Sequence, residues 1–141
     1  ILRQTEEAGL IHSTGNYRDG HAYICNCCTC CCGILRSVVE FDLPTTTVSS
    51  DFYAAVDADE CIGCGECVQQ CQFKALSVPE DICQVDEARC VGCGQCTTVC
   101  TTDAIYLERR PEGELSLPPA DLKEWLAKRA KERGISLQDI L

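Results

Sequence analysis

Apolar positions in the middle of the chain come in short runs with turn residues between them. "YAAV" (53–56) reads as a first strand. "ALSV" (75–78) and "ICQV" (82–85) flank a Pro-Glu-Asp turn and read as a hairpin. "AIYLE" (104–108) is a last strand that closes the sheet, and short helices are expected after Cys67 and after Cys96. Upstream, "ILRQTEEAGL" has the form of the last turns of a helix, with Gly9 as its C-cap and Leu10 behind it. Val38, Val39 and Phe41 are expected to pack on the sheet. The Thr/Ser stretch of "SVVEFDLPTTTVSS" reads as an exposed connection.

Downstream, "RRPEGELSLPP" reads as an extended tether and "ADLKEWLAKRAKERG" as a helix. Asp121 is placed to cap it and Gly134 to stop it. Leu122, Trp125 and Leu126 share one face, which Ala130 extends by a turn; Arg129 falls on the same side and shortens the stripe. Trp125 is expected to pack against the domain, the alternative being that this helix docks a partner subunit. The remaining Lys and Arg residues read as solvated.

A repeat underlies the central pattern. "VDADECIGCGECVQQC" (56–71) recurs as "VDEARCVGCGQCTTVC" (85–100), offset by 29 residues. Each copy carries Cys-x2-Cys-x2-Cys-x3-Cys: Cys61, Cys64, Cys67 and Cys71, then Cys90, Cys93, Cys96 and Cys100. A cubane iron–sulfur cluster needs one thiolate on each iron. Two intervening residues let a tight loop set successive sulfurs at neighbouring corners, and glycines at 63, 65, 92 and 94 let it come close. Soft thiolates select iron–sulfur or zinc. A structural zinc site usually needs only two Cys-x2-Cys knuckles, so two identical four-cysteine runs favour iron–sulfur.

The repeat resembles the two-cluster bacterial-type ferredoxins over residues 53–109. The resemblance implies an α+β fold, a ferredoxin-like duplicated βαβ holding two [4Fe-4S] clusters. In that family the fourth cysteine of each run ligates the other cluster. It therefore implies Cys61, Cys64, Cys67 and Cys100 for one cluster, and Cys90, Cys93, Cys96 and Cys71 for the other. The family usually has proline after each fourth cysteine; this chain has Gln72 and Thr101. That removes a stiff residue but no ligand. The resulting division is a Cys-rich N-terminal segment (1–52), a ferredoxin domain (53–109), and a tether with a C-terminal helix (110–141). A module of about 60 residues has a thin core, so cluster binding is expected to be part of its folding.

One segment lies outside this grammar. "ICNCCTCCC" (24–32) holds Cys25, Cys27, Cys28, Cys30, Cys31 and Cys32. Cys25, Cys28 and Cys31 repeat the Cys-x2-Cys-x2-Cys spacing, which points to a third iron–sulfur cluster with Cys32, Cys83 or another residue as fourth ligand. Cys27 and Cys30 form an interleaved pair and, with Cys83, are alternative ligands. Zinc, a thiol–disulfide or cluster-transfer device, and inert thiols are the other readings. The segment looks, more loosely, like Cys-rich stretches that precede ferredoxin domains in larger proteins of anaerobic metabolism. Cys83 also reads simply as a buried small hydrophobe. His12 and His21 flank a loop-like "STGNYRDG" and are ligand candidates only by nearness in sequence.

Composition and charge narrow the function. Fifteen of the 141 residues are cysteine, an odd number at metal-ligand spacing, which argues against a disulfide framework. The net charge of −10 argues against nucleic acid as a partner. No stretch is long enough for a membrane span and no signal peptide is visible, so a cytoplasmic location is expected. The chain starts at Ile1 and has no methionine, which suggests the C-terminal portion of a longer or processed polypeptide. No acid–base pair, nucleophile triad or nucleotide loop is visible. The expected role is electron transfer as the iron–sulfur subunit of an oxidoreductase complex, without catalysis of its own. The alternatives are a free carrier, or a redox or metal-handling protein using Cys25–Cys32. The acidic balance suits a redox partner with a basic docking face.

Overall fold

The structure is a computed structural model that describes residues 1–41, 50–115 and 117–139. Most of the expected Thr/Ser connection, residues 42–49, lies outside the described residues. By compactness the chain forms two units. The first comprises Ile1–His12 and Asn26–Leu115, the second Ser13–Cys25 and Ser116–Leu141. Boundaries at 53 and 109 follow the repeat; compactness instead groups most of the Cys-rich segment with the repeat.

In the first unit all four expected strands are present, and their pairing interlocks the two repeats. β3 (Phe52–Val56) precedes the first cysteine run and pairs antiparallel with β6 (Ile105–Arg109), which follows the second. β4 (Leu76–Ser77) and β5 (Gln84–Val85) form the expected hairpin, with Leu76 opposite Val85. The strands thus make two separate two-stranded sheets rather than one closed sheet. β1 (Ile11–Ser13) and β2 (Cys25–Cys27), outside the repeat, form a third.

The helix expected after Cys67 already contains it: α3 spans Glu66–Gln70, entered from Gly65 at φ 80°. Its counterpart after Cys96 is only a 3-10 turn, Thr97–Val99. The reason is local, since three β-branched residues in a row resist a helical turn. At the N-terminus α1 (Leu2–Glu7) is capped by Ala8, and Gly9, the expected cap, lies one residue beyond it at φ +75°. The Gly9 N–H donates to the Glu6 carbonyl (2.8 Å) and the Leu10 N–H to that of Thr5 (2.9 Å), the bonding of a Schellman ending.

One helix was not foreseen. α2 (Gly33–Glu40) follows the Cys-rich segment and buries Leu35 and Val38. They join Ile11, Phe73 and Val91 in an apolar cluster that Val39 flanks. Phe73 comes from the first repeat and Val91 from the second, so the N-terminal segment packs on both. Phe41, expected to pack, is 68 % exposed because the helix ends just before it.

Three glutamines fasten this packing. Gln72 accepts a hydrogen bond from the Thr29 N–H (2.7 Å) and donates to the Gly9 carbonyl. Buried Gln95 donates to the Leu10 carbonyl (2.8 Å) and accepts from the Gln70 amide (3.0 Å). Residues 9–10, at the end of α1, and the Cys-rich loop are therefore held by side chains next to the ferredoxin-type cysteines.

In the second unit α4 (Leu122–Arg133) has the expected caps. Asp121 accepts from the Glu124 N–H (2.8 Å) and Glu124 accepts from the Ala120 N–H (2.6 Å). Gly134 ends the helix at φ 65°. Ala130 is buried and Trp125 and Leu126 half-buried, but Leu122 is exposed, so the apolar face is shorter than expected. The Arg129 guanidinium sits 5.2 Å over the Trp125 ring. The tether is tied rather than free: the Pro119 and Ala120 carbonyls accept from the Arg18 and Asp19 N–H groups, both at 2.9 Å. No helix among the described residues is long and apolar enough to cross a membrane.

Replacing Gln72 by alanine removes two hydrogen bonds, each worth about 0.5–1.5 kcal/mol. Gln72→Ala is expected to raise proteolytic cleavage and amide exchange across residues 1–12 and 26–41 while leaving the hairpin amides of residues 76–85 protected. Equal loss of protection in both places would refute the clamp.

Candidate metal centres

The strand pairing sets where the cysteines go. The last cysteine of each run is extended, Cys71 at φ −75°, ψ 101° and Cys100 at φ −78°, ψ 109°. One cavity is lined by Cys61, Cys64 and Cys67 from the first run and Cys100 from the second, with Val56, Ile62, Val78 and Ile105 as apolar wall. A second is lined by Cys90, Cys93 and Cys96 with Cys71 from the first run, walled by Phe73, Leu76 and Val91. Each cavity thus combines three cysteines of one loop with the fourth of the other.

Backbone amides approach the rims. The N–H groups of Cys83, Ala75 and Ala54 donate to the sulfurs of Cys61, Cys71 and Cys90, each at 3.4 Å. Burial pushes the Cys96 thiol up to about 12 and Cys93 to about 11. At Cys100 burial acts upward, but hydrogen bonds from the Ile105 backbone and the Thr102 hydroxyl outweigh it and lower the thiol. Buried thiols with raised pKa stay protonated alone; a bound metal deprotonates them. Five cysteines at the first cavity (the fifth is Cys83) and four at the second, with apolar walls and N–H groups on sulfur, fit an iron–sulfur cluster.

Two glycines explain how the loops come so close to the strands. Gly63 (φ +64°) lies on the Asp81 carbonyl and Gly92 (φ +68°) on that of Phe52, and a Cβ at either would collide with that backbone. They occupy equivalent places in the two repeats.

The Cys-rich segment is arranged otherwise. The sulfurs of Cys28, Cys30 and Cys31 lie within 4.8 Å of one another, the one such metal-capable group among the described residues. Cys28 and Cys30 are joined as a disulfide, and the Cys31 sulfur is 3.6 Å from that of Cys30. The expected set of Cys25, Cys28, Cys31 and Cys32 is not the one that converges. Cys27 and Cys32 flank the apolar cluster, as do Cys71 and Cys93 of the second cavity. Cys25 is exposed and belongs to the second unit.

Cys83, an alternative ligand for the third site, instead lines the first cavity, its sulfur 3.5 Å from that of Cys67. Burial, followed by its contact with Cys67, pushes its thiol up to about 12. The histidines are engaged locally. His12 Nε2 is 3.0 Å from Thr5 Oγ1, and His21 Nδ1 is 3.0 Å from Thr14 Oγ1 with its ring stacked on Tyr17. Sequence reasoning missed Gln70 and Gln95 as fasteners. Gln72 stood out only as a departure from proline.

A repeated α+β frame whose two four-cysteine runs line two cavities is that of an iron–sulfur-binding protein. Residues 54–107 match the family model of the 4Fe-4S dicluster domain, and this part of the chain is a bacterial-type ferredoxin domain. The match covers less than half of the chain. A search of curated proteins finds no match.

Gly92→Ala combines a strained φ with a backbone collision, whereas Gly65→Ala meets strain in open space. Strain alone costs about 1–2 kcal/mol. The denaturation midpoint of Gly92→Ala is expected to fall well below that of Gly65→Ala; equal midpoints would show that the collision relaxes without cost.

Proposed function

We propose that the chain is the electron-transfer component of a larger oxidoreductase complex, carrying two [4Fe-4S] clusters with exchanged fourth ligands. Cys61, Cys64, Cys67 and Cys100 hold the first; Cys90, Cys93, Cys96 and Cys71 hold the second. The supporting observation is the grouping of three cysteines of one run with the last of the other around each cavity. When bound, each cluster supplies a one-electron couple, and two held by interlocked loops make a short relay.

The chain's own residues supply thiolates, donate N–H groups to sulfur and keep water out with apolar walls. The duplicated βαβ of the ferredoxin type is the frame for this, with its second helix reduced to a 3-10 turn. Membership of a complex is supported by what lies outside the repeat: a fastened N-terminal segment and a capped C-terminal helix. A simple carrier needs only residues 53–109. The net charge of −10 suits a basic docking face on the redox partner. The second reading is a free carrier, which would elute as a lone small monomer from the native source.

The test is metal content with paired variants. The protein is expected to hold about eight irons and as much sulfide. Cys61→Ser and Cys100→Ser are expected to give one altered spectrum of the reduced form, and Cys71→Ser and Cys90→Ser another. Cys61→Ser pairing with Cys71→Ser would overturn the exchanged ligands. Removing the iron is expected to abolish most of the native circular dichroism between 200 and 250 nm (roughly the peptide range), because cluster binding and folding are one equilibrium.

A further inference from the structure

We infer that Cys28, Cys30 and Cys31, once reduced, form a binding site for one soft divalent metal ion of zinc-like chemistry. The site is separate from both ferredoxin cavities. It depends on convergence of the sulfurs, not on the electron-transfer reading.

A cubane puts each thiolate on a different iron, which spreads its ligands around a cavity. The eight ferredoxin cysteines are spread in this way and form no convergent group. A single ion draws its ligands inward. With metal–sulfur bonds near 2.3 Å and tetrahedral angles, the sulfurs lie about 3.8 Å apart. The three sulfurs here lie within 4.8 Å of one another: Cys30 and Cys31 at 3.6 Å already have the spacing of two ligands on one ion, while Cys28 is held to Cys30 by the disulfide and must separate from it on reduction. Once reduced, the turn offers all three sulfurs to one ion.

The loop is built to keep it. The N–H groups of Cys31 and Cys32 both point at the Cys28 carbonyl (3.4 and 3.0 Å), closing a turn from which the three side chains leave. Gln72 holds the Thr29 N–H, in the middle of the set. Cys27 and Cys32 anchor its two ends on the apolar cluster. Cys30 and Cys31 are exposed, so an ion can enter from solvent and take a water or a partner's side chain as a fourth ligand.

The disulfide between Cys28 and Cys30 makes the site conditional. A phosphine and water reduce it: the S–S bond breaks, both sulfurs gain protons, and the phosphine leaves as its oxide. The metal ion then displaces the thiol protons. Oxidised, the segment keeps one free thiol of the three and no site.

The experiment uses the anaerobically purified, cluster-loaded full chain, given a water-soluble phosphine and one equivalent of Zn2+, then desalted. One zinc per chain is expected above about eight irons, with sulfur neighbours at about 2.3 Å by zinc-edge absorption. Without phosphine, zinc uptake is expected to stay near zero. Cys31→Ser is expected to weaken zinc at least tenfold with iron unchanged, and Cys25→Ser to leave zinc unchanged. About twelve irons with no zinc would overturn the proposal in favour of a third cubane. No zinc on the reduced protein, uptake by the unreduced protein, uptake indifferent to Cys31→Ser, or loss in Cys25→Ser would each overturn it too. Low iron with one sulfur-bound zinc would sink the two-cubane reading and leave this one standing.

Discussion

Cysteine sulfurs facing two cavities are the constraint on which the ferredoxin half depends. Its main apolar cluster has eight buried residues: Ala54, Cys67, Ala75, Leu76, Cys83, Cys90, Cys96 and Ile105. Four are cysteines and two are alanines, so little aliphatic bulk is left to hold it. The walls that a larger domain would fill with leucine and isoleucine are here the walls of cavities. A core of this composition leaves the sulfurs on the same surfaces that hold the fold together.

The grouping of each run's last cysteine with the first three of the other run follows from strand pairing rather than from cysteine spacing. Each two-stranded sheet takes one strand that leads into a repeat and one that leads out of the other. The chain leaving each cysteine run is carried toward the partner repeat, and Cys71 and Cys100 go with it. A serial arrangement, each run folding on itself, would need β3 to pair with β4. Gly63 and Gly92 permit the interlock by letting each loop rest directly on a backbone carbonyl of the other half's approach.

Legibility tracked how local the cause was. Strand positions, the hairpin, and the capping of α4 by Asp121 and Gly134 follow from short-range pattern, and they are where the sequence put them. The second repeat's helix is absent because Thr97, Thr98 and Val99 outweigh the symmetry of the cysteine spacing. α2 was hidden because its helical face, Leu35 and Val38, makes sense only beside Ile11, Phe73 and Val91, distant in sequence. In the Cys-rich segment, spacing singled out Cys25, Cys28 and Cys31, whereas the sulfurs that lie together in the tight turn are those of Cys28, Cys30 and Cys31. Spacing constrains ligands when the loop geometry is known, as in a repeated family motif. In an unrepeated run of six cysteines many subsets share acceptable spacing, and only the turn decides.

The glutamines make the two cavities unequal. Gln72 directly follows Cys71 and Gln95 directly precedes Cys96, both at the second cavity. Through them Gly9, Leu10 and Thr29 are attached next to two of its four cysteines. The first cavity has no such attachment among the described hydrogen bonds; its extra neighbour is the buried Cys83. A proline after Cys71 would stiffen the loop and leave it self-contained. Glutamine gives up that stiffness for a connection to α1 and the Cys-rich turn. The N-terminal segment is thus fixed to the backbone next to Cys71 and Cys96, and the second cavity is the one whose surroundings it completes.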